Sequence, residues 1–369
     1  MCSVTLPDPP LAAEVIPKRT SRILTQALRN TGFTECGRLE MKVYVTGGTG
    51  FIGTEVMRQL AEREHDLTCL VRKTSNTGTL EELGVPTVVG DVTDRASIER
   101  TLPGHDALIH LANVYDFWLP DKRVYHDVNV TGTRNVMEAA LAAKVAKVIH
   151  VSTCLIFGSP AECPFDEECP PGSECFSEYA QTKREGTEIA LAMHQRQGLP
   201  LVTVYPSGVV GPDDPKATGR YLAAMATGKL PAQVFTNSRL TFTHVRDVAA
   251  AIVAALEKPD NIGEDYLVGG ETVTFGQINR WVEELSGRRP PPFEMAPALV
   301  MLNARLLTAI ADLIKRPPLW DMSVDQMRTM RKGYEFSGEK VARELGITYT
   351  PLREAVAESL ASWGVKTAA

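Results

Sequence analysis

"VYVTGGTGFIG", residues 43–53, runs from a β-branched stretch into glycines at 47, 48, 50 and 53 and on into a segment of helical period. Each glycine has a separate task in a strand–turn–helix unit. Gly47 allows the tight turn, Gly50 lets the backbone approach a pyrophosphate, and Gly53 lets helix and strand pack closely. Phe51 and Ile52 open the helix, where unpaired N–H groups and the positive dipole end suit a phosphate. A glycine pattern alone is common. Its meaning depends on the fold that surrounds it.

Beyond residue 53 the chain alternates. Short β-branched runs at 42–46, 66–71, 86–90, 107–111, 147–152 and 200–205 read as buried strands, separated by helix-period segments such as 51–63 and 127–144. This rhythm predicts a parallel sheet covered on both faces by helices: an α/β, doubly wound Rossmann fold. Prolines and glycines crowd 206–231, after which a helix at 246–257, a strand at 265–268 and several helices are expected. The predicted organisation is a dinucleotide-binding domain over 41–205 and a smaller, mostly helical substrate-binding lobe over 206–369. Segments at about 244–268 return to the first sheet. Residues 1–40, rich in Pro, Thr and Arg, read as a loosely ordered extension.

Composition narrows the function classes. A net charge of −6 gives no basic footprint for nucleic acid. The longest apolar run, "ALVMLNARLLTAIADLI" at 298–314, is interrupted by Arg305 and Asp312, so an amphipathic helix packed on a core is expected and no membrane span. Seven cysteines include no C-x-x-C pair, and the regularly spaced Cys163, Cys169 and Cys175 have no histidine among them, so no metal site is expected. Absence of a secretory signal fits a reducing, cytoplasmic setting.

The second strand ends in "CLVRKTS", residues 69–75. An NAD-preferring site would usually place a carboxylate here for the ribose hydroxyls; Arg72 and Lys73 stand there instead. A guanidinium can pair bidentately with a 2′-phosphate, which favours NADP(H) while leaving NAD(H) open. Further on, "SEYAQTKREG" at 177–186 sets Tyr179 four residues before Lys183, on one face of a helix. Aromatics in "NVYDFWLPDKRVY" at 113–125 could line a pocket for a flat or apolar substrate or simply pack beneath a loop.

With its glycine turn, "VSTCLIFG" at 151–158 and the later Tyr-x-x-x-Lys, the chain resembles the extended short-chain dehydrogenase/reductase superfamily, the NAD-dependent epimerase/dehydratase family. It is most similar to dihydroflavonol-4-reductase-like and 3β-hydroxysteroid-dehydrogenase-like members. The resemblance extends from Met41 to about residue 365 through "GDVTD" (90–94), "LIHLAN" (108–113), "NVTGTRNV" (129–136), "YPSGVVGP" (205–212) and "FTHVRDVA" (242–249). It implies that Gly47, Gly50 and Gly53 hold the pyrophosphate and that Asp91 and Val92 flank the adenine. Ala112 and Asn113 would lie beside the cofactor, with Pro206 and Ser207 at the nicotinamide. Thr153, Tyr179 and Lys183 match the catalytic set. Ser152 is the poorer match, since neighbours on a strand point to opposite faces. Asn129 matches a recurring asparagine for which a structural role serves equally well.

The resemblance further implies that Tyr179 supplies the proton that must accompany hydride transfer to a carbonyl, with the Lys183 ammonium lowering its pKa and holding the nicotinamide ribose. Thr153 would orient the substrate oxygen. Three departures lean toward a reductase: Cys154 and Leu155 replace the acidic residues of sugar dehydratases, Tyr205-Pro206-Ser207-Gly208 replaces the Arg-Pro-x-Asn of nucleotide-sugar enzymes, and the second strand ends in cations. The leading expectation is therefore an NADP(H)-dependent oxidoreductase acting on a small-molecule ketone, aldehyde or alcohol. An NAD-dependent sugar-nucleotide epimerase and a non-catalytic dinucleotide-binding sensor stand as alternatives. Members commonly dimerise through two long helices, matching about 121–144 and 179–197 here, so a homodimer is expected.

Overall fold

Along the first strand, Val43 and Val45 face one side of the sheet while Tyr44 faces the other, and all three are fully buried. A strand with no solvent side needs a helical layer on each face, and the computed structural model has this arrangement. It describes residues 40–160 and 163–365, so the expectation for the first 39 residues lies outside the described residues.

The strands are β1 (Lys42–Thr46), β2 (Asp66–Val71), β3 (Thr87–Val89), β4 (Ala107–His110), β5 (Lys147–Val151), β6 (Leu201–Pro206), β7 (Gly208–Val210), β8 (Arg239–His244), β9 (Asp265–Val268) and β10 (Glu271–Thr274). Seven form a parallel sheet in the order β3-β2-β1-β4-β5-β6-β9. The direction of winding reverses between β1 and β4, and the crevice at their carboxyl ends is where such sheets bind ligands. On one face, helices Phe51–Glu62 and Val245–Glu257 pack through Val56, Leu60, Val248 and Ile252. On the other, Thr133–Ala143 and Glu178–Gln197 pack through Val136, Met137, Ala190 and Met193. The predicted doubly wound Rossmann fold is borne out.

The tail is mostly helical, as expected, and also contains a second sheet, β10-β8-β7. β7 begins two residues after the proline that ends β6, a spacing that reads in the sequence as broken loop. The segment expected as one regular helix is instead Arg123–His126, a wide π turn at Asp127–Gly132, and Thr133–Ala143. The turn carries Asn129, whose carbonyl oxygen lies against Gly186 of the facing helix so closely that a Cβ there would collide with it.

The apolar helix Pro297–Ile314 also differs from expectation. Only Val300, Ala304 and Ala311 of its 18 residues are buried. Leu299, Leu302, Leu306 and Leu313 point outward. The inward side packs on the core through Val300, Met301, Ala304 and Leu307 and is tied down at Thr308, which accepts from the Val324 N–H, and at Asp312, which accepts from Trp118 Nε1 at 2.8 Å. Among the described residues it is the one helix long and apolar enough to cross a membrane.

Candidate active site

Gly47 takes a left-handed φ of +80°, and a side chain there would meet the backbone of Leu111 and Ala112 at the end of β4. Gly53 faces the Gly47 carbonyl oxygen with no room for a Cβ. The turn is held by the Gly50 N–H donating to Gly47 O at 3.0 Å. Gly50 also precedes helix Phe51–Glu62 without any side-chain cap, and no acidic residue occupies the first turn. The helix therefore presents free N–H groups and a positive end to the crevice. A backbone cradle with no Cβ and an uncapped helix end fits the pyrophosphate of a nicotinamide dinucleotide.

The crevice opens into one continuous cavity of about 550 Å³. Gly47, Gly50, Phe51, Ile52, Gly53, Arg72, Asp91, Val92, Ala112, Asn113, Thr153, Tyr179, Pro206 and Ser207 all line it. Arg72 is exposed, has no salt-bridge partner among the described residues, and shares its turn with Ser75, whose hydroxyl accepts from the Arg72 N–H. Asp91 Oδ1 is held at 2.9 Å and 2.8 Å by the N–H and hydroxyl of Thr93. Ser207 donates to Thr243 Oγ1 at 2.8 Å, tying the end of β6 to β8.

At the far side of the crevice the helix Glu178–Gln197 starts at Ser177, whose hydroxyl accepts from the Ala180 N–H. This cap sets Tyr179 in the first turn, 5% exposed, and Lys183 one turn on, 1% exposed. Lys183 lies behind the cavity wall and donates from Nζ to Val151 O at 2.9 Å. Thr153 closes the group from the end of β5, where its hydroxyl accepts from the Leu155 N–H and begins the short turn Cys154–Phe157. Ser152 is engaged elsewhere: its hydroxyl shares a 2.7 Å bond with Thr187. Asn129 is committed to structure, with Oδ1 accepting from Val114 N and Nδ2 donating to Thr182. Tyr115 and Phe117 pack edge-on against the Tyr179 ring, at 4.9 Å and 6.5 Å between centroids. Both therefore belong to the wall around the phenol.

Burial governs the electrostatics. It pushes the Tyr179 phenol well above its ordinary value, against a downward pull from the neighbouring Thr153 hydroxyl and with a smaller upward push from Cys154. Burial likewise draws Lys183 down from 10.5 to about 7. The expected lowering of the tyrosine by the lysine is not seen in the protein alone. Burial of both groups favours their neutral forms.

Lys183 makes this environment measurable. Between pH about 7 and 10.5 the folded protein has shed this proton while the unfolded chain keeps it. The unfolded state then binds more protons, so stability from this group rises with pH across that window. Thermal melts of the cofactor-free protein at about pH 6.5 and about pH 9.5 should show the wild type gaining on Lys183→Met as pH rises. Parallel behaviour of the two proteins would rule out a desolvated lysine.

Sequence reading missed the remainder of the wall. Phe242, Phe275, Ile278, Met330 and Tyr334 reach the cavity from the second sheet and the tail helices. They are spaced far apart, and no motif connects them. Cations lining the whole cavity are confined to the exposed Arg72 and the half-buried Lys216.

Comparison with known proteins agrees with this architecture. Residues 43–269 match the family described as NAD dependent epimerase/dehydratase. Sterol demethylase protein B of Methylococcus capsulatus is 32% identical over 326 residues, spanning 87% of this chain and 98% of its own. A putative dihydroflavonol 4-reductase of Synechocystis is 28% identical, spanning 86% and 93%. The crystal structure of gox2253 superposes with a TM-score of 0.76 at 34% identity, over 88% of this chain and 98% of that one.

Proposed function

The chain belongs to the NAD-dependent epimerase/dehydratase family, the extended short-chain dehydrogenase/reductases, and from that premise we propose an NADP(H)-dependent reductase that interconverts a ketone or aldehyde and an alcohol. Tyr179 is the proton donor. The observation that carries this reading is the wall around and beyond the phenol. Tyr115, Phe117, Phe242, Phe275 and Met330 face the space a substrate would fill, and two cations in the whole cavity are few for an enzyme that must hold a nucleotide diphosphate as well as its cofactor.

When bound, the nicotinamide supplies or accepts the hydride. Thr153 and Tyr179 hold the substrate oxygen between two hydroxyls, so its reactive carbon is presented in one orientation. Proton delivery falls to the Tyr179 hydroxyl, which burial keeps protonated at neutral pH. Lys183, fixed by the Val151 carbonyl, stands one turn behind as the group that can carry positive charge when the tyrosine gives up its proton. The aromatic wall excludes water from that exchange.

Arg72 tests the cofactor half of the proposal. Arg72→Asp replaces attraction for a 2′-phosphate by repulsion and should weaken NADPH by roughly 100-fold or more while changing NADH little. Titration of both cofactors by fluorescence measures the ratio; an unchanged ratio would leave Arg72 as a solvated surface cation. The reaction class is tested by NADPH oxidation with a panel of apolar ketones. Purified protein carrying tightly held, non-exchanging NAD would instead favour an epimerase.

A further inference from the structure

Among the described residues, nothing covers the outward face of helix Pro297–Ile314. Leu299, Leu302, Leu306, Ile310 and Leu313 recur at intervals of three and four, which puts them on one stripe, and they are 45% to 83% exposed. Leu319 and Trp320, 62% and 49% exposed, follow just beyond the helix. Monomeric proteins seldom leave so continuous an apolar surface without a use.

The charges around the stripe are one-sided. Arg305 falls along one border by helical geometry, Lys315 closes the helix in a left-handed turn, and Arg316 follows it in sequence. None of the three has a salt-bridge partner among the described residues. The nearby acids are already engaged: Asp312 with Trp118, Asp321 with Arg220, Glu294 with Thr236, and Asp121, the acid beside Lys315, with Arg123. On a chain with a net charge of −6, this is a locally basic, apolar surface.

We propose that this face docks on an anionic lipid surface, with the leucine stripe and Trp320 entering the headgroup boundary and Arg305, Lys315 and Arg316 meeting lipid phosphates. A helix with this distribution lies in the interface plane and does not cross it. Pairing with a second copy fits less well. An isologous contact would bring the cationic border of one copy to that of the other, where the carboxylate beside Arg305, Asp312, is already tied to Trp118 Nε1. The placement also bears on access to the cavity. Trp118, anchored to Asp312, is flanked by the cavity-lining Phe117 and Leu119, and the helix after Val324 contributes Gln326, Thr329 and Met330. The docked face thus adjoins the substrate side of the site. Docking itself does not depend on the reductase assignment.

Cosedimentation of the full chain with vesicles of phosphatidylglycerol and phosphatidylcholine, against phosphatidylcholine alone, tests the proposal. Binding is expected to the anionic vesicles. Each cation contributes about fivefold, so R305A/K315A/R316A should lose roughly 100-fold in affinity. L302E/L306E should abolish pelleting while binding dinucleotide like the wild type, which shows that the variant is folded. Failure of the wild type to pellet with anionic vesicles would overturn the proposal, as would undiminished pelleting of L302E/L306E. A concentration-dependent dimer in light scattering that L302E/L306E dissolves would assign the face to a second copy instead.

Discussion

Tyr179→Phe should retain cofactor affinity and lose turnover by roughly 10²- to 10⁴-fold, the span associated with removing a positioned general acid. The substitution deletes one oxygen. The ring stays in its edge-on contacts with Tyr115 and Phe117 at 4.9 Å and 6.5 Å, so the wall keeps its shape. Burial that holds the phenol protonated also keeps bulk water out, and water is therefore a poor substitute donor. Single-turnover rates with NADPH and a reducible ketone, read beside the cofactor dissociation constant, separate the two effects. A variant that turns over like the wild type would remove Tyr179 from the chemistry, and one that loses cofactor binding would make it structural.

Gly53→Ala should cost both stability and cofactor. The added Cβ has nowhere to go, because the Gly47 carbonyl oxygen and the Gly48 Cα occupy its place. Relief requires the helix Phe51–Glu62 to move off the turn. The same movement withdraws the N–H groups that face the pyrophosphate. Overpacking of this kind costs about 1–3 kcal/mol, and misplacing a phosphate cradle should reduce dinucleotide affinity by roughly 100-fold or more. Denaturant unfolding and cofactor titration check the two parts separately. Normal binding would show that the turn has slack which its contacts do not suggest.

The central sheet was legible for a simple physical reason. A parallel strand covered on both faces favours apolar and β-branched residues throughout, and runs such as VYVT at 43–46 and LVTVY at 201–205 meet that demand without help from distant residues. The glycine turn was legible because its steric demands are local. Family membership rested on several such blocks in order. The second sheet was not legible: β8 depends on β7 and β10 for its partners, and Phe242 gains its role only when Phe275 arrives beside it. Helix Pro297–Ile314 was read with its apolar face inward because periodicity reveals a stripe without revealing what lies opposite. Tyr179 and Lys183 could be paired from spacing alone. Their shared dry surroundings come from Tyr115, Phe117 and the end of β5, contacts that no local pattern encodes.

The position of β9 limits how the chain could be divided. Every residue of β6 is buried, and one of its two neighbours, β9, arrives from nearly sixty residues further along the sequence. Ser207, Val268 and Gly270 then converge on the Thr243 hydroxyl, which accepts from Ser207 Oγ and Gly270 N and donates to Val268 O. A fragment stopped at 205 would contain the whole glycine turn and the Tyr179 helix, yet end in a bare, mostly apolar sheet edge open to pairing with other chains. The dinucleotide half is thus no detachable module. A graft or truncation that respects its motifs must also carry Asp265–Val268, or it exchanges a cofactor site for a seed of aggregation.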